Sequence, residues 1–151
     1  WLGLMTPLHR LSLALRLLER HPALARLRVR SSVPRGLPPA RFDTDSLKQV
    51  VMALAMNASS SMPAGGTLAV RASRRGRTLL LDVSDTGPTV PLPGRTQLFE
   101  PYATADAQRG AGLGLAIARS LLRSRGGDLL YRPRKGGNAF RVVLRVATGT
   151  P

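Results

Sequence analysis

Three short stretches carry residue types that can hold a ligand. The first is Gly110-Ala111-Gly112-Leu113-Gly114-Leu115, at the opening of a helix. Glycines there let the backbone approach a ligand closely. The free N–H groups at the positive end of the helix then form an anion site. The spacing is not that of a dinucleotide-binding turn, and no Gly-Lys-Ser/Thr follows as in a phosphate loop. Taken alone it is a weak signal, and a structural turn is the plain alternative. The second stretch is Asp85-Thr86-Gly87, just past an apolar run ending at Val83. A carboxylate leaving a sheet edge beside a glycine can accept a hydrogen bond from an amino group, such as the 6-amino of adenine. An Asx turn is the plain alternative. The third is Asn57, set among Leu54, Met56 and Ala58. A half-buried amide needs partners. Its carbonyl oxygen suits Mg²⁺, which prefers oxygen donors and completes its shell with phosphates and water. A solvent-facing Asn is the alternative.

These residues must be positioned by a few elements. Leu4, Leu8, Leu11, Leu15 and Leu18 recur at spacings of four and three, which predicts an N-terminal helix ended by Pro22. That stripe suits packing on the chain's own domain or a coiled-coil seam. Leu27 and Val29 alternate with arginines, as on a half-buried strand. Asp43 or Asp45 can cap a helix whose apolar face is Leu47, Val50, Val51, Leu54 and Ala58. A hairpin of residues 67–71 and 78–83 follows, turning at 74–76. Residues 85–97, with three prolines and two glycines, read as a loop. A helix over 113–124 ends at Gly126-Gly127. A last hairpin joins 129–131 to 139–146, with its turn at 135–138. This order predicts a two-layer α/β sandwich, in which helices cover one face of a mixed, mostly antiparallel sheet.

The chain's 151 residues fit one compact domain. With 43% hydrophobic and 21% charged residues it should fold. It lacks cysteine, which excludes disulfides and thiol chemistry and agrees with a reducing cytoplasm. No apolar run is long enough for a membrane span, and no secretory leader is visible. The net charge is +15, from 23 basic and 8 acidic residues. Such an excess points to anionic partners, but the arginines are spread along the chain, which argues against nucleic acid as the main ligand.

Five motifs in order make the resemblance. Residues 47–58 with Met62-Pro63-Ala64-Gly65-Gly66 resemble the N box of the histidine-kinase-type ATPases, and Asp82 to Gly87 resembles their G1 box. Leu98-Phe99-Glu100-Pro101-Tyr102 is similar to the F box, and Gly110 to Gly127 to the G2 box. Gly136-Gly137-Asn138-Ala139-Phe140 looks like the closing strand motif. The resemblance implies the Bergerat fold of the gyrase, heat-shock-90, histidine-kinase and MutL superfamily, with residues 23–151 as the ATP-binding domain. Residues 1–22 would be a helix, the tail of a dimerisation helix. The resemblance further implies ATP and Mg²⁺ as cofactors, with Asn57 holding the metal and the phosphates. Asp85 would read the adenine amino group, and Gly87 would let the base sit close. Gly110, Gly112, Leu113 and Gly114 would cradle the phosphates. Residues 102–109 would form a lid bearing Thr104 and Arg109, anchored by Phe99. The implied activity is phosphoryl transfer from MgATP to a His on a separate dimerisation domain, with a response regulator and a second copy through the upstream helix as further partners.

Some positions depart from that pattern. Ala53 stands where the family carries a polar residue, Thr89 replaces a second G1 glycine, and Asp106 stands near a lid lysine position. His9 and His21 are the only histidines, and neither has the sequence context of a phosphoacceptor. No catalytic residue is therefore assigned within the chain. Two alternatives follow: a degenerate module of the same fold that works by docking a partner, and an anti-sigma-type kinase acting on Ser.

Overall fold

In the computed structural model, the structure describes residues 10–11, 15–16, 19–95, 97–100 and 114–147. After a short 3-10 turn at Pro22–Leu24, strand β1 runs Leu27–Ser32 and helix α1 runs Thr44–Ser61. Strands β2 (Gly66–Arg75) and β3 (Thr78–Asp85) form a hairpin. A short helix α2 (Leu92–Arg95) and the longer α3 (Gly114–Arg123) follow. Strands β4 (Asp128–Arg134) and β5 (Gly137–Arg145) complete a five-stranded sheet in the order β1-β2-β3-β5-β4. Only the β1–β2 pair is parallel among these neighbours; the other three are antiparallel. The helices pack on one face, so the mixed two-layer sandwich expected of this order is what forms.

The core is read directly from strand alternation. Val70, Val83, Phe140 and Tyr131 stand in one row across the sheet, and Ala72, Leu81, Val142 and Leu129 in the next. Against these rows α1 buries Leu47, Val50, Val51, Leu54, Ala55 and Ala58, the face its periodicity forecast. Asp43 is the residue that caps α1, its carboxylate accepting the Ser46 N–H at 2.9 Å. That bond, the largest influence on it, holds the Asp43 carboxyl below its ordinary value. Helix α3 is pinned to β4 by Asp128, which accepts from both Arg119 and Arg123. Leu11 and Leu15, two of the N-terminal stripe, are fully buried in this same core. Leu4, Leu8 and Leu18 lie outside the described residues.

Several boundaries differ from expectation. Both strands of the first hairpin are longer, and the turn is at Gly76-Arg77, where Gly76 takes φ +57. The last hairpin likewise turns at 135–136, so Asn138 is a strand residue rather than a turn residue. The extra strand residues are polar or small, with Arg75, Arg132 and Arg134 among them on the uncovered face, and such side chains mask the alternation. The stretch read wholly as a loop contains α2, a single turn at Leu92–Arg95. Pro93 fits there because an early helical position needs no N–H donor.

Candidate functional site

The last residues of β3 and the first of β5 meet where the apolar rows run out. Asp85 pairs across the sheet with Asn138, on the same face as Val83 and Phe140. Both polar side chains are buried, at 8% and 4% exposure. One carboxylate oxygen of Asp85, Oδ1, accepts the Gly87 N–H at 2.8 Å and the Asn138 amide at 2.9 Å. The same amide also donates to the Pro88 carbonyl at 3.0 Å. The Tyr131 hydroxyl donates to the Asn138 carbonyl oxygen and accepts the Val90 N–H. The second oxygen, Oδ2, bonds no described residue. One half of the carboxylate is thus fixed, and among the described residues the other has no donor.

Asp85 and Asn138 share a cavity of about 250 Å³ with Asn57, Ser61, Pro88, Val90, Leu98 and Phe140. That volume suits a ring system rather than a whole nucleotide. Asn57 enters it from α1, half-buried, with a side chain that bonds no described residue. On the far side Phe99 stands edge-on to Phe140 at 6.3 Å, with the Arg119 guanidinium over its ring at 4.7 Å. Gly87 is hemmed in, since a Cβ there would stand 3.0 Å from Asp85 Oδ1 and from Ser61 Oγ. Thr89 donates to the Gly137 carbonyl at 3.3 Å, tying the loop to β5.

Of the residues singled out from sequence, Asn57 and Asp85 line one cavity, and Gly87 bonds the carboxylate of Asp85. Gly114 begins α3 and faces Ala53, whose methyl would lie 3.6 Å from a Cβ at that glycine. Thr104, Arg109, Gly110, Gly112 and Leu113 lie outside the described residues, as do the lid from Tyr102 onward, Asp106 and His9. His21 caps the 3-10 turn, its Nδ1 accepting the Ala23 N–H at 3.1 Å, a structural use of the ring. The residue that sequence reasoning missed is Asn138. An Asn after Gly-Gly signals a turn, and only the strand register shows it facing a carboxylate.

Fold and pocket together describe a domain that can bind a flat, amino-bearing ring at the end of a mixed sheet. Residues 42–148 match the family described as "Histidine kinase-, DNA gyrase B-, and HSP90-like ATPase". The chain belongs to this family, and it is an ATP-binding catalytic domain of the histidine-kinase kind. It is 34% identical to the nitrogen regulation protein NtrY of Azorhizobium caulinodans over 124 residues, 76% of this chain and 16% of that protein. The mycobacterial sensor histidine kinase MprB matches with TM-score 0.72 and 27% identity, over 89% of this chain and 91% of that one. Full-length ShkA, solved in complex with AMPPNP, matches with TM-score 0.73 and 28% identity, over 89% of this chain and 29% of that one. The chain thus spans a small fraction of the length of NtrY. No helix among the described residues is long and apolar enough to cross a membrane.

Proposed function

We propose that the chain presents MgATP for phosphoryl transfer to a histidine on a separate dimerisation domain of a two-component sensor kinase. The phosphoryl group would pass on to a response regulator, and residues 1–22 would join the domain to the dimerisation helix through which two copies pair. The kinase would work in the cytoplasm. The observation that carries the reading is the divided carboxylate of Asp85, which lines the cavity with Oδ1 fixed by two donors and Oδ2 bonding no described residue. An adenine 6-amino group is a donor that fits that acceptor. The AMPPNP bound to ShkA is an ATP analogue, which supports a triphosphate in the same fold.

The residues also fit a metal that arrives with its nucleotide. Among the described residues no three His, Asp or Glu side chains gather as a cation site. Asn57 brings one unpartnered amide to the cavity wall, a single oxygen donor of the sort Mg²⁺ takes beside phosphates and water. Bound there, the ion would neutralise charge on the phosphates. The glycines at 110, 112 and 114, with Leu113, Thr104 and Arg109, would close around them from the lid side. Phosphoryl transfer is mostly positioning and charge neutralisation, so a chain without a catalytic base can serve. Ala53, one turn before Asn57, offers only a methyl, which motivates the second reading of a docking module with little turnover.

Calorimetric titration of MgATP or AMPPNP distinguishes the two. Asp85→Asn keeps a carbonyl oxygen for Gly87 and Asn138 and turns an amino group toward the cavity, donor against donor. It should fold normally and bind at least about 30-fold more weakly. Asn57→Ala should weaken MgATP but leave adenosine unchanged. No heat from the parent at about millimolar MgATP, or equal binding by Asp85→Asn, would sink the nucleotide reading and leave the docking module.

A further inference from the structure

Arginines that are scattered in the sequence converge on the face of the sheet opposite the helices. Arg30, Ala69, Ser84, Ala139 and Arg132 stand in one row across all five strands. One row away, Arg28 on β1 and Arg134 on β4 again occupy the two edges. On the other side the next row holds Arg71, Asp82 and Arg141. In the first of these rows the edge strands carry arginines and the middle carries Ala69, Ser84 and Ala139, with the charged row of Arg71, Asp82 and Arg141 along one side. The result is a trough, and a depression of about 540 Å³ in its floor runs from Arg71 on β2 to Arg132 and Arg134 on β4.

Its charge is uncompensated. Arg28, Arg30, Arg71, Arg132 and Arg134 are exposed, and their guanidinium groups bond no described residue. Asp82 is the one carboxylate in these rows, and Arg141 already holds both of its oxygens, at 2.8 and 3.1 Å. The β1 and β4 arginines stand four strand spacings apart, about 19 Å. An α-helix with its side chains is about 10–12 Å across, so it fits between the rails and can lie on the small residues of the floor.

We propose that this trough docks an acidic α-helix of another protein, one with Asp or Glu along both flanks. The inference goes beyond the nucleotide reading and does not rest on it, because the nucleotide cavity lies on the helix-covered face. These 151 residues do not supply the occupant: their acidic residues are scattered, and no segment is denser in carboxylates than Asp43-Thr44-Asp45. A second copy, also at +15, would be repelled. The rows carry no aromatic side chain on which bases of a single strand could stack. A flat bilayer would meet the rails and miss the floor.

The test uses fluorescence anisotropy with the whole chain and a labelled alanine-based helical peptide bearing Glu on both flanks. Arg30→Glu with Arg132→Glu reverses one charge on each rail. Arg35→Glu with Arg125→Glu makes the same change in net charge away from the trough. Thermal melts of both double variants report that each is folded. Duplex DNA and phosphatidylserine vesicles are titrated in parallel. The rail variant should lose at least about tenfold in peptide affinity and the control at most about twofold. Equal losses in the two variants would overturn the proposal, as would failure of the parent to bind the peptide. Tighter trough-dependent binding of DNA or vesicles than of peptide would also overturn it.

Discussion

Asn138→Ala should loosen the fold and the pocket together. The Asn138 amide is buried and makes three good bonds: to Asp85 Oδ1, to the Pro88 carbonyl, and from the Tyr131 hydroxyl. A bond to a charged partner contributes about 1.5–3 kcal/mol and a neutral one about 1 kcal/mol, and buried partners left unpaired add to the loss. Because the three share one network, their costs do not simply add, and about 3 kcal/mol is the expected total. For a domain of this size that lowers Tm by about 10 °C. Asp85 would keep only the Gly87 N–H, so its carboxylate could turn about its side-chain bonds. Losing that preorganisation should weaken MgATP binding about tenfold. Urea unfolding followed by circular dichroism gives the first number, with an unchanged m-value showing that the folded state is intact. Calorimetry well below the midpoint gives the second. If unfolding stays within about 0.5 kcal/mol of the parent, or nucleotide binding is unchanged, Asn138 does not position Asp85.

Two further predictions follow from the same geometry. Gly137→Ala would place a methyl 1.9 Å from the Asp85 backbone carbonyl, which cannot yield without moving β3 from β5. It should cost more than about 3 kcal/mol, whereas Gly136→Ala, with open space but φ +79, should cost about 1 kcal/mol; parallel thermal melts decide, and similar losses would contradict the register described here. The Asp128 carboxyl is pushed up by burial but brought down more strongly by Arg119, the Leu129 N–H and Arg123, to about 2 from 3.8. Because its value is lowered on folding, its contribution is present above about pH 4 and is lost as pH falls from there through about 2. With the side chain 31% exposed, solvent screening reduces the effect to about 1 kcal/mol. Asp128→Asn should flatten that part of an acid-unfolding curve, and an unchanged curve would show that the ion pairs contribute nothing.

What could be read in the sequence was what local periodicity encodes. The 3-and-4 spacing of Leu47, Val50, Val51, Leu54 and Ala58 named the buried face of α1 without tertiary information. Glycine and proline clusters located the turns to within a few residues. The strand ends were hidden because residues such as Arg74, Arg75, Arg132 and Arg134 face solvent, where composition is unconstrained. Asp85 and Asn57 were visible because each sets a polar group in an apolar stretch. Asn138 was not, since its partner lies 53 residues away and only the β3–β5 register joins them. The arginine trough was hidden for the same reason. In sequence its members look dispersed, and five strands must align before they share a surface.

One alternation builds both faces. Along β3, Leu79, Leu81 and Val83 point to the helices, and continuing the period by two residues puts Asp85 on that side as well. The sheet therefore changes from apolar to polar at one end without changing face, and the carboxylate sits on the floor of the core rather than in water. The same period sends Asp82 and Ser84 outward, into the trough, beside Arg141 and Ala139. A slip of one residue between β3 and β5 would move every side chain to the wrong side, carrying Asp85 out among the arginines and an arginine's neighbours into the core. The Asp85–Asn138 bond opposes that slip, because it forms only in the native register and its loss leaves two buried polar groups each short of a partner. The pair that shapes the nucleotide pocket thus also fixes the register on which the arginine surface depends. A variant that breaks the pair should therefore disturb both faces, although they share no ligand.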